Sequence, residues 1–220
     1  MKRLMVIWLL VVPFAAGCML HHDQVVGSGQ RLREKREVAA FTAIKTEGAY
    51  EIKVVCQQAL SLEIEADDNI MPLIKTDVSN GVLRIKSSRG FSVDHPIVIK
   101  IAAPNIEAIN TSGAGTIEIT GLKNDKFEID SNGAPTIRVA GETGTLEIDA
   151  NGAGRIDAHK LRAAKGTVAA NGVTKIEVNA SDELNVTVMG PASVIYSGDP
   201  KVSKTVHGPG SVERRASEGA

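Results

Sequence analysis

A glycine recurs every 18 to 20 residues across the second half of the chain, and an isoleucine or valine follows each of these glycines four positions later. A fixed period of this length is typical of coils that stack as parallel strands. The glycine allows a backbone corner that a side chain would forbid. Weaker copies are candidates at Gly48 to Ile52 and at Gly81 to Ile85. The repeat therefore predicts an all-β solenoid with coils of about 19 residues. The repeat glycines are Gly113, Gly133, Gly152, Gly172, Gly190 and Gly208.

The branched residues of the repeat form an internal column if the coils stack, with about 4.8 Å between successive members. A narrow coil has no room for large aromatic side chains, which agrees with an aromatic content of 3%. From Val38 onward, alternating apolar and polar residues predict further strands, and Asn80-Gly81 predicts a tight turn. Only Ala158 to Lys165 is a candidate for a short helical turn. The column is Ile117, Ile137, Ile156, Ile176, Val194 and Val212.

Two polar rows accompany the repeat. Asn132, Asn151 and Asn171 each precede a repeat glycine, so stacked asparagines would hydrogen-bond along the axis as a structural ladder, with a polar binding row as the alternative. Asp130 and Asp149 lie three residues before the glycine. Neighbouring aspartates can share a cation or act as an acid pair. The other ligands of a calcium cage are missing, which favours aspartates that face water.

The N-terminus has the order of a secretory signal, with Lys2 and Arg3 before a short apolar run and small residues up to Cys18. Eleven apolar residues are too few to span a bilayer, which needs about 20. The cysteine at the cleavage site resembles the bacterial lipobox. We therefore predict a signal peptide at 1–17 and lipidation of Cys18, with cleavage by ordinary signal peptidase after Ala16 or Gly17 as the alternative. The residue after Cys18 is Met19 and not the aspartate that resembles an inner-membrane retention signal, which favours the outer membrane. The side of that membrane on which the protein lies stays open.

The polar run after the cysteine predicts a flexible tether at 18–37, followed by one solenoid domain at 38–213 and a disordered tail at 214–220. The 25 basic and 26 acidic residues nearly cancel, which argues against a nucleic-acid partner. Cys56, the second of two cysteines, is expected to be a buried thiol without a disulfide. His21 and His22 are expected to be solvated, and the sequence predicts no metal and no cofactor.

Several segments of the chain resemble the head domain of putative auto-transporter adhesins, called the head GIN domain. The resemblance covers about 38–196. It implies an exported bacterial protein, often a lipoprotein, built as a right-handed parallel β-helix. It transfers no catalytic residue. The segments that carry it are Gly27 to Gln30, Phe41 to Ile44, Gly48 to Val54, Glu65 to Asn69, Asp77 to Ile85 and Ile109 to Gly115.

Two classes of function fit these features. The first is a non-catalytic envelope module with an adhesive or scaffolding role, held to the membrane by lipid and binding an envelope protein or a glycan. The second is a carbohydrate-active lyase or hydrolase, but the mature chain keeps no tryptophan and only Tyr50 and Tyr196 as tyrosines. A third possibility is an accessory protein of envelope stress sensing that binds a protein partner. The sequence does not distinguish it from the first class. Bare strand edges at the solenoid ends favour self-association.

Overall fold

The computed structural model describes residues 24–216. The predicted signal peptide at 1–17, the lipidation site Cys18, the pair His21 and His22, and residues 217–220 lie outside the described residues. Within the described part the chain forms 17 strands and one 3-10 turn at Met71–Leu73, and it contains no helix that is long and apolar enough to cross a membrane.

The strands are β1 (Val25–Val26), β2 (Arg31–Arg36), β3 (Ala43–Glu47), β4 (Glu51–Cys56), β5 (Ser61–Asp67), β6 (Ile74–Ser79), β7 (Val82–Ser87), β8 (Phe91–Ser92), β9 (Val98–Ala103), β10 (Ala108–Gly113), β11 (Thr116–Gly133), β12 (Thr136–Gly152), β13 (Arg155–Gly172), β14 (Lys175–Met189), β15 (Ser193–Ser197), β16 (Lys201–His207) and β17 (Ser211–Arg214).

The strands stack as a β-solenoid with two long faces around one core. Each of the long strands β11 to β14 turns a corner, so that its first part lies on one face and its last part on the other. Face A runs β2, β5, β9, β4, the first parts of β11 to β14, β15 and β17. Face B runs β6, β7, β3, β10, the last parts of β11 to β14, and β16. From β10 onward every described pairing is parallel, which confirms the solenoid predicted from the glycine period.

The predicted internal column is confirmed on face A. Its six residues are in register from coil to coil, and none is more than 7% exposed. Ile52 of β4 extends the column by one coil, so the weak copy at Gly48 to Ile52 is a true repeat. Cys56 is buried as predicted, and burial raises the pKa of its thiol.

The N-terminal tether is the main error of the sequence prediction. Within 18–37, β1 pairs with β8 in parallel and β2 pairs with β5 in antiparallel register, so the folded domain begins near residue 25 and not at 38. A run of charged residues suits an edge strand, because charged side chains on an edge discourage pairing with other chains. The polar composition that suggested a tether is the composition of a protected edge.

Two smaller predictions also need correction. The copy at Gly81 to Ile85 is not a repeat of the same kind, because β7 pairs with β3 and continues into the antiparallel hairpin β6–β7. That hairpin turns at Asn80-Gly81 as predicted, with φ of 52° and 73°. Ala158 to Lys165 lies inside β13 and forms no helical turn.

The predicted disordered tail at 214–220 begins too early. Arg214 pairs with Tyr196 in the last coil of face A. The backbone N–H of Arg215 donates to the Tyr196 carbonyl at 2.7 Å, and its guanidinium pairs with Glu177. The stacked coil therefore holds these two residues in place, and the prediction is untested only at 217–220.

Both ends of the solenoid carry charges on the core-facing side of the edge strand. On face B a second apolar column ends at Val186, and the residue in register with it on β16 is Lys204. On β2 the core-facing positions include Glu34 and Arg36, whose side chains pair at 2.6 Å, and Arg36 also donates to the Ile74 carbonyl. Inward charges on an edge strand oppose strand addition. The column above Lys204 is Leu83, Ile44, Ile109, Ile129, Ile148, Val168 and Val186.

Replacing the edge lysine, Lys204, with an apolar residue should allow the C-terminal edge strand to associate with another copy of the chain. We expect Lys204→Val to show concentration-dependent self-association by analytical ultracentrifugation at concentrations where the wild-type domain associates less. Thr205→Val, on the same strand but on the outer side, is the matched control and should behave like the wild type. Equal association of all three proteins would show that Lys204 does not prevent association through this edge strand.

Candidate binding face

Face A carries a row of charged side chains on its outer side, which we call the charged column. Because successive coils are in register, one outward position per strand lines up along the whole face. Lys100 and Glu63 in this row pair at 3.3 Å, but exposed pairs of this kind contribute less than about 1 kcal/mol to stability. The charges are thus available for recognition at little cost to folding. The column is Lys35, Glu63, Lys100, Lys53, Glu118, Arg138, Asp157 and Glu177.

The C-terminal end of this column is an ionic cluster of Asp157, His159 and Glu177. Asp157 and His159 lie two residues apart on β13, which places both side chains on the outer side of the strand. Glu177 is directly opposite Asp157 on β14. The potential ligand atoms of the three residues all lie within 4.8 Å of one another.

Glu177 is the most constrained member of the cluster. It is only 6% exposed although it is on the outer side of the strand. Arg155 Nη2 donates to its Oε1 at 2.7 Å, Lys175 Nζ lies 3.5 Å from the same oxygen, and the Arg215 guanidinium donates to Oε2. A buried carboxylate with both oxygens paired is satisfied, and the surrounding cations are fixed in place by it.

Asp157 is held in its charged form by its neighbours. Burial opposes ionisation of this carboxyl group, but the hydrogen bonds from the His159 ring and backbone N–H, together with the charges of His159 and Arg155, outweigh burial and hold the pKa below its usual range. Asp157 therefore remains a carboxylate at neutral pH. A hydrogen-bonded carboxylate next to an imidazole can accept a donor from a ligand.

The cluster has the ligand types of a metal site, but its Glu177 carboxylate is already held in ion pairs. One nitrogen and two carboxylate groups suit a divalent cation such as Zn²⁺. However, a cation at Glu177 would have to displace the guanidinium groups of Arg155 and Arg215. The arrangement therefore fits an ion-pair network better than a metal centre, and the sequence prediction that names no metal stays a prediction.

None of Asp157, His159 and Glu177 is among the site residues predicted from the sequence. The usable signal was the repeat itself, since Asp157 and Glu177 each follow a column isoleucine, Ile156 and Ile176, by one residue. Positions that are equivalent in the repeat become neighbours across one strand spacing. His159 could have been found from the alternation of inward and outward side chains along β13, since it lies two residues after Asp157.

The polar residues that the sequence singled out lie together on face B. Asp130 is opposite Asp149, and the asparagines before the glycines, Asn132, Asn151 and Asn171, are in register. They hydrogen-bond within the row. Asp130 accepts from Asn110 and Asn132 at 2.6 Å each, Asn151 donates to Asp149 at 2.9 Å, and Asn171 donates to Asn151 at 2.8 Å.

This pattern uses much of the hydrogen-bonding capacity of the row inside the protein. Of the predicted asparagine ladder, only the bond from Asn171 to Asn151 is present among the described residues, because Asn132 and Asn151 donate to aspartates of their own strands. A binding or cation role for Asp130 and Asp149 stays a prediction. A shallow polar groove lies at the corner between the two faces, where Lys123, Asn124, Asp125, Glu107 and Glu142 line it.

The fold and the outer faces define a parallel β-solenoid protein with long, polar, regularly spaced surfaces. The chain belongs to the family described as "Putative auto-transporter adhesin, head GIN domain", whose model matches residues 40–200. This confirms the resemblance found in the sequence. No curated protein matches the chain at a significant level.

Three solved structures share the fold. A putative adhesin from Bacteroides fragilis has a TM-score of 0.70 and 23% identity over 87% of this chain and 100% of its own. A putative adhesin from Parabacteroides merdae has a TM-score of 0.58 and 20% identity over 88% and 99%. A putative lipid binding protein from Parabacteroides distasonis has a TM-score of 0.53 and 20% identity over 87% and 99%. Identities at this level show the fold alone.

Proposed function

We propose that the protein is a lipid-anchored, non-catalytic binding protein of the bacterial cell envelope and that face A is its ligand-contact surface. The observation that carries the proposal is the charged column, which runs along face A from β2 to β14 and ends in the preorganised ionic cluster. Membership of an adhesin-like family supports a place at the cell envelope or surface. The lipobox at Cys18 and the residue after it support anchoring in the outer membrane.

The chemistry of the face favours a ligand with charged groups. Ordered charges on a face give specificity and speed of association more than raw affinity. Tyr50 is buried, so it offers no platform for stacking on a sugar ring. We therefore infer an envelope protein or an acidic glycan as the ligand rather than a neutral sugar chain.

Charge reversal in the middle of the column tests the proposal. Arg138 is exposed and distant from the core, so Arg138→Glu should leave the fold intact and weaken ligand binding about tenfold, which corresponds to about 1.4 kcal/mol. The measurement is a screen of envelope proteins and glycans with the 19–220 chain, followed by titration of each hit and assay of product release.

The matched control is the double variant Asp130→Asn and Asp149→Asn, which changes charge on face B and should bind like the wild type. Binding that is lost in the face B variant but kept by Arg138→Glu would place the ligand on the wrong face for this proposal. Release of products from a glycan would instead support the carbohydrate-active enzyme.

A further inference from the structure

The first described residues are fastened to the solenoid by a set of contacts that we call the clasp. The backbone N–H of Gly29 donates to Asp67 Oδ2 at 3.0 Å, and the N–H of Ser28 donates to Asn69 Oδ1 at 3.0 Å. The side-chain amide of Asn69 donates to the Val26 carbonyl at 2.8 Å. The clasp joins segments about 40 residues apart in the chain, and β1 and β2 extend it on either side.

The clasp leaves little free chain between the predicted lipid and the folded domain. Cys18 and Gln24, the first described residue, are six residues apart. Even a fully extended chain of that length spans no more than about 22 Å. If all of 18–37 were free, as the sequence suggested, the reach would be roughly three times as long.

The clasp also lies at one particular end of the molecule. Asp67 ends β5, and among the described strands of face A only β2 lies beyond β5. The opposite end of face B is β16, which is eight strand spacings, or about 38 Å, from the first strand of that face, β6. The anchored end and the free end are therefore separated by more than the reach of the remaining tether.

The exposed groups at the clasped end suit a lipid headgroup surface. Val26 is 71% exposed and Leu32 is also exposed, although both are apolar. The outward side chains of β2 are Arg31, Arg33 and Lys35. Arg31 and Arg33 pair with Asp67 and Glu65 of β5, and Arg33 stays 66% exposed in its pair. Exposed apolar side chains at the same end as the exposed Arg33 and Lys35 match the boundary between headgroups and acyl chains of an anionic leaflet.

We infer that the N-terminal end of the solenoid, formed by β1, β2 and the clasp, lies against the lipid headgroups, so that the ionic cluster and β16 point away from the membrane. This inference rests on the lipid anchor of the proposed function. It replaces the picture of a domain held at a distance by a long flexible tether. It also names the partner of this end, which is an anionic phospholipid surface.

Energy transfer to labelled lipids tests the orientation in the lipidated full-length protein. Val26→Cys and Val206→Cys each introduce one exposed thiol, at the clasped end and the free end. The natural Cys56 is buried and should label poorly, so the wild-type protein measures the background. In vesicles of phosphatidylethanolamine and phosphatidylglycerol with a headgroup acceptor, transfer from position 26 should exceed that from position 206 by about threefold or more, given a distance difference near 38 Å.

Lengthening the tether provides the second variant. A Gly-Ser insertion of about 20 residues after His21 adds roughly 25 Å of average reach without touching the fold. Transfer from position 26 should then fall towards that from position 206. No change on insertion would mean that the short tether is not what holds this end near the membrane.

Separate measurements distinguish a failure of the inferred orientation from a failure of the proposed lipid anchor. Mass spectrometry of residue 18 and vesicle binding by a Cys18→Ser variant report on the anchor alone. A lipidated protein with equal transfer from both positions overturns the orientation and leaves the anchor standing. A protein without lipid on Cys18 overturns the proposed anchoring itself.

Discussion

Gly152→Ala is expected to prevent the chain from reaching its folded state. Gly152 has a φ of 137°, and a Cβ built there would lie 2.2 Å from the carbonyl oxygen of Gly133 in the preceding coil. That oxygen already accepts the N–H of Ala153 at 2.8 Å, so the coils cannot separate without losing hydrogen bonds between them. We expect a loss of about 4 kcal/mol or more, seen as loss of the β-sheet circular dichroism signal and of soluble protein.

Gly81→Ala is the matched control for the corner glycine. Gly81 also has positive φ, at 73°, but nothing lies within 4 Å of the Cβ position. The substitution carries the milder strain of the left-handed helical region, without the steric contact, and should cost only about 1 kcal/mol in the free energy of unfolding. Equal losses at the two positions would show that strain alone, and not the approach of stacked coils, requires glycine at the corner.

The stacked coils were predictable because the repeat encodes them directly. Each coil must place a branched residue inside and a glycine at the corner, so Ile137 and Gly133 recur with the period of one turn. The same physical requirement acts on every coil. A single unit therefore predicts the others, and the register of the apolar column follows from counting.

The first third of the domain was less predictable because its strands do not repeat. The antiparallel pairs β2–β5, β5–β9 and β6–β7 close the N-terminal end of the core, and each satisfies a local requirement of that end. Arg36 illustrates the difficulty. It is charged and core-facing, and its role becomes visible only when the Ile74 carbonyl is placed next to it.

The candidate site was partly predictable for the same reason. The register of Asn132, Asn151 and Asn171 follows from the glycine period and is correct, although only Asn171 and Asn151 hydrogen-bond to each other. Arg215, the cation that pairs with Glu177 from the last coil, lies beyond the repeat, in the segment 214–220 whose composition predicts disorder. Ion pairs between distant segments leave no periodic signal in the sequence.

Asp67→Asn is expected to open the clasp and to lower the free energy of unfolding by about 3 kcal/mol at neutral pH. Asp67 is only 2% exposed and accepts from the Gly29 backbone N–H and from Arg31 at 3.2 Å. The amide keeps the size of the carboxylate but removes the charge that Arg31 needs. Urea denaturation followed by circular dichroism measures the loss. Asp68→Asn is the control, because exposed Asp68 accepts from Ser28 in the clasp, has no ion pair among the described residues and keeps an acceptor oxygen as asparagine, so it should cost less than about 1 kcal/mol.

The loss of stability in Asp67→Asn should depend on pH, because the wild-type Asp67 carboxylate titrates. The Gly29 N–H has the largest effect on the pKa of Asp67, burial opposes it, and the Arg31 side chain and the charge of His95 act with Gly29, so the pKa in the folded protein lies below its usual value of 3.8. The unfolded chain therefore takes up this proton at a higher pH than the folded one does. The stability that Asp67 contributes is complete above the unfolded pKa and is lost as pH falls through the folded pKa. The gap between wild type and Asp67→Asn should thus narrow in acid, and a gap that is constant from neutral pH to below the folded pKa would contradict a charged Asp67 in the clasp.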